Sequence, residues 1–137
     1  MTKPPMVPVL FPALLSALAF VSCTPALGVN PVLYQADRAE VLATVAQLCP
    51  TLTPNAAYRS FTVVSSTAST VVCSTKPVFA PSAFNLYDPV TLRFDATQSG
   101  TTASVTGSED WGGTAITNQN ALNDVFSALD RKFRRVR

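Results

Sequence analysis

From Val90 to Thr97 every second residue is apolar: Val90, Leu92, Phe94 and Ala96 alternate with Thr91, Arg93, Asp95 and Thr97. A period of two puts one set on a buried face and the other in water, so the pattern predicts a strand opened by Pro89. Gln98-Ser99-Gly100 supplies a turn, after which Ala103, Val105 and Gly107 alternate with Thr102, Ser104 and Thr106 as the partner strand. Glu109-Asp110-Trp111-Gly112-Gly113 reads as a loop in which the two carboxylates form a solvated turn. Upstream, Tyr58 to Ser65 carries Phe61, Val63 and Val64, and Thr70 to Thr75 carries Val71, Val72 and Cys73. The short polar run between them predicts a second hairpin. Lys76 to Asp88 holds two prolines and the aromatics Phe79, Phe84 and Tyr87, and is expected to be an ordered crossing loop.

Two stretches switch to the helical period. Asp37-Arg38-Ala39-Glu40 has the spacing of a capping box, and Asn30-Pro31 offers an earlier start. Val41, Leu42, Val45, Leu48 and Cys49 then share one face until Pro50 ends the run. The last element is a helix from about Asn118 to Phe133, with Leu122, Val125, Phe126, Leu129 and Phe133 on its apolar side. The resulting order is helix, four strands, helix. Its simplest closed arrangement is α+β: a four-stranded antiparallel sheet with both helices on its apolar face.

The first part of the chain has a different character. One lysine precedes 17 uncharged residues, Met6 to Ser22, which include Leu10, Leu14, Leu15, Leu18 and Phe20. A charged start succeeded by an apolar run is the layout of a secretory signal. An N-terminal transmembrane helix is the competing reading; Pro8 and Pro12 weigh against it. Either one exports the rest of the chain, because the positive flank stays cytoplasmic. The run ends in Ala19-Phe20-Val21-Ser22-Cys23-Thr24, which resembles the lipobox of bacterial lipoproteins, with phenylalanine at Phe20 where that family usually has leucine. The resemblance covers about 20 residues. It implies that Cys23 is diacylated and becomes the new N-terminus. It divides the chain into a signal peptide (1–22), a lipid-attachment site and short tether (23–33), and one domain with a basic tail (34–137). Cleavage after Ala26 is the alternative and would give a soluble secreted protein.

The cysteines fit export. Three thiols are an awkward number in an oxidising compartment. Acylation of Cys23, or its removal with the signal, leaves Cys49 and Cys73 as an even pair. One closes a helix face and the other sits in a strand, so they are expected to form a disulfide worth about 3 kcal/mol on the chain-entropy model.

Charge is sparse, at 13% of residues, and polarised. Arg131, Lys132, Arg134, Arg135 and Arg137 crowd the C-terminus. They are candidates for contact with an anionic membrane surface or an acidic partner, against the plainer reading of a helix end that favours cations. A net charge of +2 gives no global field for nucleic acid, and no nucleic-acid partner is expected.

Catalytic chemistry finds little support. The chain has no histidine, which removes the commonest general base and metal ligand. Its five glycines have no phosphate-loop spacing. Carboxylates do not cluster as in a calcium loop, so no metal or cofactor is expected. The sequence therefore predicts a non-enzymatic accessory or interaction domain of a bacterial cell envelope, anchored through acylated Cys23. In element order alone it is similar to small accessory lipoproteins of the lipopolysaccharide-assembly type. The alternative is a carrier of a small apolar ligand, in a cavity lined by Phe61, Phe94, Phe126 or Phe133.

Overall fold

The computed structural model describes residues 27–54, 58–76, 89–110 and 119–137. The signal segment, Cys23, the loop aromatics of 77–88 and Trp111 lie outside them. The order of elements is β1 (Leu27–Tyr34), α1 (Arg38–Leu48), β2 (Thr62–Ser66), β3 (Thr70–Thr75), β4 (Val90–Ser99), β5 (Thr102–Asp110) and α2 (Gln119–Lys132). The strands form one antiparallel sheet in the order β1-β5-β4-β3-β2.

The architecture is α+β as expected, but the sheet has five strands and not four. The extra strand is β1, where the sequence pattern suggests a tether and an optional helix start. It reaches across the chain to pair with β5, from Leu27↔Glu109 to Tyr34↔Ala103. Its register slips between Val29 and Val32, where Asn30 and Pro31 lie. A proline has no N–H for a ladder, so it survives in a sheet at a bulge on an edge strand, which is its position here.

The β4–β5 hairpin obeys the alternation. Val90, Leu92, Phe94 and Ala96 of β4 face the core with Ala103, Val105 and Gly107 of β5. Gly100 closes the hairpin with φ 56°, a conformation that favours glycine. Both helices pack on this side. Asp37 caps α1, its carboxylate accepting from the Ala39 N–H at 2.7 Å, and Pro50 diverts the helix end into a 3₁₀ turn at Cys49–Thr51. Helix α2 sets Leu122, Val125, Phe126 and Leu129 against the sheet. At Gly107 a Cβ would stand 2.7 Å from the Phe126 ring and 2.9 Å from Leu122, so the missing side chain is what lets α2 sit this close.

Candidate functional site

Cys49 and Cys73 form a disulfide, with Cα atoms 6.0 Å apart. Both residues are fully buried. The bond ties the end of α1 to β3, the pairing expected from the two faces.

Register divides the sheet into two ends. Leu27, Glu109, Leu92, Cys73 and Val63 form one continuous row across all five strands. That row lies at the end where β1 begins. Beyond it on the same end come Ser74, Thr75 and Lys76 of the β3 side, and Thr62 back to Arg59 of the β2 side. The opposite end carries Tyr34, the turn around Gly100, the start of α1 and the end of α2.

The basic tail belongs to this second end and is partly immobilised there. Arg135 forms a bridge with Tyr34, the Gln35 N–H donates to the Arg134 carbonyl at 2.8 Å, and the Val136 N–H donates to the Leu33 carbonyl at 2.8 Å. The Tyr34 hydroxyl donates to Asp130 at 2.9 Å, and the Arg135 guanidinium grips both oxygens of the same carboxylate at 3.1 and 2.9 Å. Burial, reinforced by that anionic neighbour, pushes the Tyr34 phenol well above its ordinary range. Lys132 donates to the Thr44 hydroxyl at 2.8 Å, stands 3.7 Å from Glu40 and lies over the Phe133 ring. Of the five basic residues expected at an anionic surface, Lys132 and Arg135 are therefore committed within the fold. Arg131, Arg134 and Arg137 have no ion pair among the described residues.

A second cationic feature was not singled out by sequence reasoning. Arg59 and Lys76 are joined by a backbone hydrogen bond, Arg59 N–H to the Lys76 carbonyl, at 2.9 Å. The Thr75 hydroxyl donates to the Arg59 carbonyl and fixes the crossing from below. With Ser60, Thr62, Val64 and Ser74 they line an open cleft of about 250 Å³. Neither Arg59 nor Lys76 has an ion pair among the described residues. The 16 residues between them in sequence hide the pair; only the β2–β3 hairpin register brings them together.

Glu109 and Asp110 are corrected by the structure. They continue β5 instead of leaving it as a loop. Glu109 is fully buried on the core face and Asp110 is exposed on the other. Opposite faces of a strand cannot converge on one reacting atom. Among the described residues no group of three or more potential ligands could hold a metal ion, and no helix is long and apolar enough to cross a membrane.

No protein-family model matches the chain, and no curated protein matches it. Among solved structures it is similar to the crystal structure of Ara h 8.0201, with 11% identity over 77% of this chain and 91% of that chain and a TM-score of 0.39.

Proposed function

We propose that the protein is a non-enzymatic interaction module of a bacterial cell envelope, held on the extracytoplasmic side of a membrane by acylated Cys23. The observation that carries the reading is the Cys49–Cys73 disulfide. A bond of this kind forms and persists in oxidising compartments, and it leaves Cys23 as the one cysteine needing another fate. That residue stands where an apolar, lipobox-like run ends.

The state of the core supports an interaction module over a carrier. The four phenylalanines considered as a cavity lining are buried in one core, Phe61 and Phe94 completely. The Phe94 and Phe126 rings lie 6.1 Å apart, and Gly107 yields its side-chain space to Phe126. A ligand there would have to displace well-buried rings. The surface meanwhile keeps Val64, Leu33 and Val136 exposed, together with the cations of the tail.

Metabolic labelling with a clickable fatty acid tests the anchor. Label on the wild-type chain, loss of label in Cys23→Ala and release of that variant from the membrane fraction are the expected results. A wild-type chain that takes no label while staying in the membrane points to an uncleaved anchor and ends the lipoprotein reading. Full-length chain retaining Met1 in the cytosol ends export altogether.

A further inference from the structure

We propose that the Arg59–Lys76 cleft seats the phosphate headgroup of an anionic phospholipid in the membrane that carries the anchor. This rests on the reading of Cys23 as acylated, and it fixes which end of the domain faces the bilayer.

Strand register places the cleft at the end of the sheet where β1 begins. β1 enters the sheet at Leu27, in the row shared with Cys73 and Val63. Cys23 is four residues before Leu27, a reach of at most about 14 Å in extended chain. Lys76 lies three residues past Cys73 toward that same end, about 10 Å further along the strand direction. The cleft thus stands at the end of the sheet from which the chain leads back to Cys23. Four strand spacings separate β1 from β2, about 19 Å sideways, so anchor and cleft can meet one surface together. The tail cations cannot share it in that orientation. Tyr34, to which Arg135 is bridged, is seven residues along β1 from Leu27, about 20 Å toward the far end.

The chemistry of the cleft suits a phosphodiester. Arg59 and Lys76 are both exposed and supply a planar fork and a point charge, the two side chains that bind phosphate best. Ser60 adds a hydroxyl that takes part in no hydrogen bond shown among the described residues. Val64 supplies an apolar wall beside them. The nearest acidic residue placed by register is Asp110, aligned with Thr91, which in turn aligns with Ser74; it is two strand spacings away, about 10 Å, and engaged in an interaction of its own. A soluble anion could meet the same two cations. The anchor's position is what favours the lipid, because tethering raises the local concentration of headgroups.

The chain offers its own internal control. Its lysines are Lys3, in the signal segment, Lys76 at the cleft and Lys132 at the far end. The acylated wild-type protein would be reconstituted on phosphatidylcholine vesicles with and without phosphatidylglycerol. A membrane-impermeant amine reagent would then be applied, and labelling rates read at each lysine by mass spectrometry. Lys76 is expected to label about fivefold more slowly when phosphatidylglycerol is present, the effect of one basic residue at an anionic surface, with Lys132 unchanged. Arg59→Gln should return Lys76 to within about twofold of its rate on neutral vesicles. Equal Lys76 rates on both vesicles overturn the proposal, as does equal protection by inorganic phosphate over neutral vesicles, which would make the site one for soluble anions. Flotation of the protein with neutral vesicles reports the acyl anchor separately, so failure of the anchor and failure of the cleft give different results.

Discussion

Two residues show how much depends on single atoms. Gly107 faces the core where α2 crosses β5, and a methyl group there would meet Phe126 and Leu122 inside ordinary contact distance. Both neighbours are buried, so they can yield only by leaving good rotamers. Gly107→Ala is therefore expected to destabilise the fold by about 1–3 kcal/mol, read as a lower urea midpoint at unchanged slope. Asp95 governs a smaller, pH-dependent contribution on the wet face. It accepts two bonds from Arg93, at 2.7 and 2.9 Å, and one from the Thr70 hydroxyl at 2.6 Å. The Arg93 guanidinium, with Thr70 second, holds its carboxyl below the usual range against a partial desolvation. A depressed carboxyl stabilises the fold fully above its unfolded value, about 3.9, and loses that contribution as pH falls through the folded value. Because both side chains are about half exposed, Asp95→Asn should cost less than about 1 kcal/mol at neutral pH. Melting curves for the variant and wild type should converge below about pH 4.

At the level of elements the disulfide is the strongest single constraint. It closes a separation of 24 residues, which includes the loop between α1 and β2 and one hairpin turn. Replacing both cysteines by alanine is expected to cost about 3 kcal/mol, and adding reductant to the wild type should bring its urea midpoint to that of the double variant. This pairing was legible in the sequence because export leaves Cys49 and Cys73 as an even pair, one on a helix face and the other within a strand. The β4–β5 hairpin, the Asp37 cap and the face of α2 were legible because their patterns are uninterrupted. β1 was not. Its bulge at Asn30–Pro31 breaks the period of two, and its pairing with β5, from Leu27↔Glu109 to Tyr34↔Ala103, joins segments roughly 70 to 80 residues apart, which no local pattern reports. Glu109 was missed by the converse rule, since a carboxylate at the end of an alternating run reads as an exit to solvent. The Arg59–Lys76 cleft was invisible because neither residue has a charged neighbour in sequence. The tail was legible as charge, but its attachment to β1 runs through backbone N–H and C=O groups that leave no residue signature.

For the whole molecule that attachment decides how the charge is presented. The last residues extend the sheet beyond β1, so the C-terminal cations are displayed from a fixed edge and not from a freely solvated tail. Two backbone hydrogen bonds and the Asp130–Arg135 pair hold them there. The backbone bonds contribute about 1 kcal/mol each once exchange with water is counted, and the half-exposed ion pair adds less. Removing residues 134–137 should therefore lower stability by about 2 kcal/mol, close to the sum of those contributions. A solvated tail would give a change near zero, so the two descriptions separate cleanly in a urea titration. Amide exchange locates the effect: the Gln35 N–H, which donates to Arg134, should lose protection on truncation, while Val105 and Phe94 in the sheet centre track only the global change. The labelling rate of Lys76 at the opposite end should not move, because among the described residues the tail reaches the cleft only through the intact sheet. A truncated chain with wild-type stability and a Gln35 amide as protected as before would show that the fold ends at Phe133 and that Arg134, Arg135 and Arg137 are loose after all.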